Sequence, residues 1–379
     1  MGNQSAGVEF ALIGHQDNWE KVTRFVDFLN SGKQRLSAEK IAEVYSYIPP
    51  RKLFDIEVNS ITGQVVKGCY IETFISPDDL GLRHWKKNVI KVKEAASCAR
   101  QLGAGIAGLG GFTSIVLEGR DNSLNENSAT LFTTGNTLTA AFIVKSVQKA
   151  CRRFNKDLKE QKLLIIGATG DIGSACVNYF EGKVKEFLLC ARQTGALVNL
   201  EKDLISKGCA AKSSTDVTGL LPEADIIIAI ASSTIENFHP ALCKEDVIIC
   251  DAGYPKNLLD GFGETFAERL FCGGMGHVKG DFNFTPDVHQ QLYNFPVANI
   301  GHGCLLEAII LAFEKTHLPF STGKGNITVE KIEWIYSVAK KHGITEAPFF
   351  NPLRAWPVKP SDENENQWTG TVVKPDLHR

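Results

Sequence analysis

Lys162-Leu-Leu-Ile-Ile-Gly-Ala-Thr-Gly-Asp-Ile-Gly173 decides how this chain is read. A charged residue opens a short, uninterrupted aliphatic run, the pattern of a strand buried on both faces of a parallel sheet. Glycines at 167, 170 and 173 follow at once, and an apolar segment over 174–180 reads as a helix. A glycine turn from strand to helix exposes backbone N–H groups and the positive helix end, a combination suited to phosphate. The spacing departs from the strict GxGxxG pattern, so the flanking strand and helix carry much of the inference. A tight turn that needs glycine for packing alone is the competing reading.

Outward from this stretch, apolar strands are expected at 186–191, 225–231, 246–251 and 269–272. Strands spaced by helices indicate a central Rossmann-like, doubly wound parallel sheet. Upstream, extended runs at 8–14, 53–58, 65–74 and 114–118 interleave with helical ones at 19–29, 78–102 and 136–153. The fold class is therefore α/β, with four segments. Residues 1–155 form an N-terminal α/β domain, and 156–276 form the Rossmann-like nucleotide domain. Residues 277–345 form a mainly helical C-terminal segment, and the Pro- and Asn-rich stretch 346–379 forms an extended or disordered tail.

Composition constrains function loosely. The chain has 379 residues, 43% of them apolar and 22% charged, with a formal net charge of −2. No overall basic field exists to hold nucleic acid, so charged partners must be met by local patches. Ten cysteines are scattered without CxxC or zinc-finger spacing and read as reduced core thiols of a cytoplasmic protein. No secretory pattern opens the sequence, no apolar run approaches the about 20 residues of a membrane span, and no metal is assigned.

In the nucleotide domain, Gly167, Thr169, Gly170, Asp171, Ile172 and Gly173 are the expected pyrophosphate cradle. The second strand ends Cys190-Ala-Arg192 without the carboxylate that an NAD ribose would use. Arg192 is either an exposed surface arginine or the partner of a 2′-phosphate, which favours NADPH. Later strand ends bring Ser232 and Gly253 to the same crevice, where small residues leave room for the nicotinamide.

Cys304, in Ala298-Asn-Ile-Gly-His-Gly-Cys304, differs from the other thiols because it stands near the start of an apolar helix. A helix N-terminus favours thiolate, and glycines 301 and 303 thin the cover around the sulfur. It is either a nucleophile or a buried structural cysteine. His302 is too near in sequence to share its face, whereas His277 and Lys256 come from other elements and are candidates for proton transfer and carbonyl polarisation. His15 ends the first strand and is equally readable as a structural hydrogen-bonding residue.

Several blocks in one order then carry a resemblance: Gly68-Cys-Tyr-Ile-Glu-Thr73, Leu109-Gly-Gly-Phe-Thr-Ser-Ile115, Phe132-Thr-Thr-Gly-Asn-Thr137, the glycine loop, Gly253-Tyr-Pro-Lys-Asn257 and Asn326-Ile-Thr-Val-Glu-Lys331. From Leu12 to about His342 the chain resembles the cyanobacterial long-chain acyl-[acyl-carrier-protein] reductase family. The resemblance implies NADPH-dependent reduction of a fatty acyl thioester, on acyl carrier protein and possibly coenzyme A, to a fatty aldehyde, with Cys304 taking the acyl group. It also makes Arg83, Lys86, Lys87 and Lys91 a candidate docking face for the acidic carrier protein. The alternatives are a thiol-dependent reductase of another activated acyl group, and a non-catalytic NADPH-binding protein that docks carrier protein.

Overall fold

The computed structural model describes residues 8–30, 36–117, 123–126, 128–232, 235, 237–254, 256–258, 262–288, 295–316 and 318–359. The first unit contains β1 (Phe10–Gly14), α1 (Trp19–Leu29), α2 (Ala38–Tyr45), β2 (Arg51–Asn59), β3 (Val65–Glu72), α3 (Trp85–Gln101), β4 (Ile106–Leu109), α4 (Phe112–Leu117), β5 (Leu131–Thr133) and α5 (Asn136–Arg153). The second contains β6 (Lys162–Ile166), α6 (Asp171–Phe180), β7 (Glu186–Cys190), α7 (Thr194–Ser206), β8 (Ala211–Ser214), β9 (Ile226–Ala229), β10 (Ile248–Asp251), α8 (Phe262–Phe266) and β11 (Leu270–Cys272). Then come β12 (Met275–Val278), β13 (Phe282–Thr285), β14 (Ile300–His302), α9 (Gly303–Phe313), α10 (Val329–Lys341) and β15 (Ile344–Glu346).

Among the described residues the second unit's strands form one parallel sheet in the order β11-β10-β9-β6-β7-β8. Counted from β6 this is the 3-2-1-4-5-6 order of a doubly wound dinucleotide fold, with the reversal of direction beside the glycine loop. The 162–166 run is parallel and buried because helices cover both faces: Leu163 and Ile165 fall in one core cluster, Leu164 and Ile166 in another.

The first sheet runs β13-β2-β3-β1-β4-β5, parallel from β3 to β5 and antiparallel at β2 and β13. Along β1, Phe10 and Leu12 pack with α5 and α9 residues, while Ala11 and Ile13 face Val92, Ala95, Ala96 and Ala99 of α3. The C-terminal segment is woven into this unit: β13 forms its edge strand, and α9 packs on β1, β3 and β4. α9 is buried almost all round because it is sandwiched between that sheet and α5.

Three expectations change. Of the strand expected at 114–118, the described residues 114–117 belong instead to the helix Phe112–Leu117, and 118 lies outside the described residues. Thr113 Oγ1 and Ser114 Oγ donate to the Gly110 and Gly111 carbonyls (2.9 and 2.8 Å), closing a turn after the glycines that β-branched residues alone disguise. The segment 277–345, expected to be mainly helical, also holds the end of β12 and the strands β13 and β14. The tail is ordered through residue 359: β15 pairs with β12, and Phe349, Phe350 and Trp356 are buried. Arg153 donates to the Pro357 carbonyl (2.9 Å) and lies over the Trp356 ring (5.3 Å). Residues 360–379 lie outside the described residues.

Candidate active site

A cleft of about 1650 Å³ runs between the two sheets at the carboxyl ends of their parallel strands. Gly14, His15 and Gly111 line it from the first sheet, the glycine loop, Arg192, Ser232 and Gly253 from the second, and Cys304 from α9. Crevices of this kind are where open α/β sheets bind ligands.

The glycine loop has the shape of a phosphate cradle. Gly167 adopts φ +93°, and its N–H and that of Ala168 donate to the Cys190 carbonyl (2.8 and 3.1 Å), pinning the turn to the end of β7. A Cβ at Gly173 would lie 2.1 Å from the Gly167 carbonyl oxygen, so only glycine lets α6 start this close to β6. The first intrahelical bond runs from Ser174 N–H to the Gly170 carbonyl (2.8 Å). The N–H groups of Asp171, Ile172 and Gly173 precede it at the positive helix end, and Gly170 supplies no capping side chain. Thr169, Gly170, Asp171 and Ile172 all line the cleft, but the Asp171 carboxylate faces the protein. It accepts from Asn136 Nδ2 and from the Gly325 N–H (2.8 Å each), latching the loop to α5 and to the 321–326 turn.

Arg192 is exposed at the end of β7 and donates to Ser232 Oγ at the end of β9 (3.2 Å). At the neighbouring end of β10, buried Asp251 accepts from the N–H groups of Gly253, Asn257 and Leu258 (3.2, 3.1 and 3.2 Å). Burial raises its carboxyl pKa against the pull of Lys256 and those donors. Asn257 pairs with both the N–H and the carbonyl of Ala231 (2.7 and 2.8 Å). Gly253 is required by contact, because a Cβ there would meet the Asn257 amide at 2.2 Å. Lys256 lines the cleft with its ammonium tethered to the Asp251 carbonyl oxygen (2.9 Å).

Cys304 is the second residue of α9, and the strand β14 leads directly into it. His302 provides no side-chain cap, so the orphan donors of the helix start are available to the sulfur. The N–H groups of Cys304, Leu305 and Gly111 all favour the thiolate, yet burial outweighs them and pushes the thiol up to about 11. The macrodipole acts in the expected direction, but desolvation of this half-buried group is larger. The flanking glycines also serve packing rather than exposure. A Cβ on Gly303 would meet Thr139 Cα at 2.8 Å, and one on Gly301 would meet Leu306 at 2.9 Å. His302 lines the cleft with its ring against Tyr254 and Phe295 (5.1 and 5.8 Å), and burial lowers its pKa to about 3.

Around the thiol lies a buried polar brace that sequence reasoning missed. Glu307, one turn along α9, accepts from Thr133 Oγ1 (2.5 Å), the Leu138 N–H (2.9 Å) and Ser321 Oγ (3.0 Å). Leu138 is in the first turn of α5, so a carboxylate from another helix caps it. The Thr133–Thr137 turn is thus mainly packed against α9, and only Asn136 of it lines the cleft. A carboxylate inside the apolar run 303–313 was the available signal.

His15 supports the opposite wall. Its Nε2 accepts from the Phe112 N–H (3.1 Å) and its Nδ1 donates to the Gln16 carbonyl (3.2 Å), which defines the neutral Nδ1–H tautomer. Burial lowers its pKa, consistent with a post that holds the 110–112 turn beside Cys304. Next to it Glu72 is fully buried and accepts from Gln16 Nε2 (2.8 Å), Tyr70 Oη (3.1 Å) and the Phe74 N–H (3.1 Å). Burial still raises its pKa from 4.5 to about 7. Since the folded state keeps a proton that the unfolded chain has lost, stability falls as pH rises from 4.5 through 7, by on the order of 3 kcal/mol. Glu72→Gln, neutral throughout, is expected to gain stability over the wild type between pH 5 and pH 8 in urea denaturation. An unchanged difference between the two proteins at both pH values would contradict this.

His277 is not brought to the thiol. It lies on β12, opposite Ile300 of β14 and Thr345 of β15, and is not among the cleft-lining residues. A Cβ on Gly276 would point at Phe142 and Leu306, so strand alternation turns His277 away from α5 and α9. Among the described residues, no group of three or more His, Cys, Asp or Glu is arranged to hold a metal ion, and no helix is long and apolar enough to cross a membrane.

No family model matches the chain. Among solved structures, dipicolinate synthase A chain from Bacillus subtilis aligns over 71% of this chain and 88% of its own at 11% identity, with a TM-score of 0.36. The nucleotide-binding domain of glutamyl-tRNA reductase from Thermoplasma volcanium aligns over 37% and 86% at 14% identity, with a TM-score of 0.25. Aminotransferase PigE from a Serratia species is 25% identical over 264 residues, which span 65% of this chain and 28% of that protein. A long-chain acyl-[acyl-carrier-protein] reductase from Synechococcus elongatus is 34% identical over 356 residues, 91% of this chain and 98% of that protein. Similarity of that degree over that length shows that this chain belongs to the long-chain acyl-[acyl-carrier-protein] reductase family and is an oxidoreductase.

Proposed function

We propose that this protein reduces a long-chain fatty acyl thioester, carried by acyl carrier protein or coenzyme A, to the fatty aldehyde with NADPH, through an acyl group held on Cys304. The observation that carries the reading is the shared cleft: one wall offers a thiol ringed by N–H donors, the other a glycine cradle at a helix start. The cradle fits a dinucleotide because the space at Gly167 and Gly173 is closed to any Cβ while the α6 donors remain open. Gly167, Thr169, Gly170, Ile172 and Gly173 would hold the pyrophosphate, Arg192 and Ser232 the 2′-phosphate, and Gly253 would leave room beside the nicotinamide. When bound, NADPH supplies the hydride that takes the acyl-Cys304 thioester to aldehyde and returns the thiol.

The chain's own chemistry precedes that step. Cys304 Sγ attacks the thioester carbonyl carbon, the carrier's sulfur leaves and takes up a proton, and one thioester replaces another without net redox change. The N–H groups of Gly111, Cys304 and Leu305 oppose the cost of charge on sulfur. Lys256, held at the cleft wall by Asp251, offers a cation for polarising the acyl carbonyl. His302 stays neutral and shapes the wall with Tyr254. Asp171 acts by fixing the cradle, and His277 has no role in this scheme.

Arg192→Ala tests the cofactor reading: affinity for NADPH is expected to fall about tenfold while that for NADH stays constant, the effect of one lost charge-assisted contact to phosphate. Equal losses for both would remove Arg192 from the 2′-phosphate. For the carrier, the candidate face lies on α3 and the turn before it, which Trp19 of α1 joins by donating to Asp78 (3.0 Å). There Arg83 and Lys86 are exposed, Lys87 pairs with Asp79 (2.7 Å) and Lys91 donates to the Ile48 carbonyl (2.7 Å). Lys86→Glu with Lys87→Glu is expected to raise KM for acyl carrier protein several-fold at low salt, and less at high salt. An unchanged KM at low salt would remove the docking face.

A further inference from the structure

The turn 322–326, Thr-Gly-Lys-Gly-Asn, lies outside the parallel sheet yet is fastened to the glycine loop. Gly325 donates its N–H to Asp171 Oδ1 at 2.8 Å, and Asp171 is the first residue of α6. The turn is closed on itself by Asn326 Nδ2, which donates to the Thr322 carbonyl (2.6 Å), and it is braced by Lys331 Nζ on the Asn326 carbonyl (3.1 Å). Behind it, Ser321 is locked to Thr133, Thr137 and Glu307. Gly323 and Gly325 take φ +62° and +82°, conformations that glycine adopts freely and that place Lys324 at the apex. Lys324 is exposed, lines the cleft together with Thr169, Gly170 and Ile172, and among the described residues pairs with no carboxylate. Asp171, the carboxylate at the start of α6, is already satisfied by Asn136 and Gly325.

We propose that Lys324 is a cofactor-binding residue contributed from outside the nucleotide domain, whose ammonium pairs with the dinucleotide pyrophosphate at the start of α6. The inference rests on the dinucleotide reading given above and adds to it a second source of positive charge. The helix start offers partial charge and directed N–H groups; a lysine on a pre-formed turn adds a full charge at little ordering cost beyond its own side chain. The same turn links α5, α9 and the glycine loop, so pyrophosphate held there is anchored to the thiol's own brace.

Titration of the full chain with NADPH and with NADH, followed by nicotinamide fluorescence, separates the possibilities. Lys324→Ala is expected to weaken both dinucleotides by the same factor of about ten, with a shallower salt dependence, and Lys324→Arg to restore most of the loss. An unchanged unfolding temperature keeps the comparison free of folding effects, as the side chain is exposed. Unchanged affinity for both cofactors would overturn the proposal, and a loss confined to NADPH would overturn it by moving Lys324 to the 2′-phosphate. Wild-type protein that binds neither dinucleotide would instead refute the cofactor reading itself, and this inference with it.

Discussion

Replacing Cys304 with alanine is expected to lower aldehyde formation by at least about a thousandfold while NADPH affinity is unchanged, since the covalent route is lost and the cofactor cradle is not. Cys304 and the glycine loop lie on different elements of one cleft, and the variant removes a single atom from α9 without touching the loop. The thiol also sets a pH dependence. Burial holds it at about 11, above the assay range, so the thiolate is the minor form at neutral pH and grows about tenfold per pH unit. Acyl transfer is therefore expected to accelerate from pH 7 to pH 9, well below saturation. Aldehyde analysis with a parallel cofactor titration checks the first effect. Turnover within about tenfold of wild type would contradict it.

Gly135→Ala is expected to cost about 3 kcal/mol of stability and most of the activity, although the change is one methyl group far from the chemistry in sequence. Gly135 stands at the start of α5 with φ +68°, where an alanine is strained by about 1 kcal/mol. The larger cost is contact: the new Cβ would lie 2.1 Å from the Cys304 carbonyl oxygen and 2.2 Å from its Cα. Those are backbone atoms held by α9, which Glu307 ties back to α5, so neither side can yield without moving the thiol. Urea unfolding and acyl-transfer rate measured on the same protein test both parts. A variant with wild-type midpoint and rate would show that the two helices do not meet as described.

Legibility followed the range of the interactions. β6 and the glycine loop were readable because an aliphatic run and glycines at fixed spacing are local signals, and the strand order confirms the doubly wound sheet. α9 was readable from a continuous apolar run, and its observed start at Gly303 agrees with Cys304 standing near the start of a helix. β14 was not: its three residues pair with β12 from beyond β13, and nothing in Ile300-Gly-His302 marks that pairing. Residues 114–118 read as extended because Ile115 and Val116 are β-branched, and over 114–117 a glycine turn with hydroxyl back-bonds overrode the preference. At the site, the cysteine and glycines announced themselves by type. Glu307 did not, because its partners Thr133 and Leu138 lie 174 and 169 residues away in the chain. The balance of charge at Cys304 is hidden for the same reason: helix position is visible in sequence, and desolvation of the sulfur is not.

The central claim is that Cys304 carries the acyl group. Mass spectrometry of the full chain after incubation with palmitoyl-acyl carrier protein, without NADPH, tests it most directly. The expected result is a single palmitoyl adduct on the peptide containing Cys304, absent from Cys304→Ala and forming faster at pH 9 than at pH 7. No adduct on the wild type, or one that persists in Cys304→Ala, would contradict it.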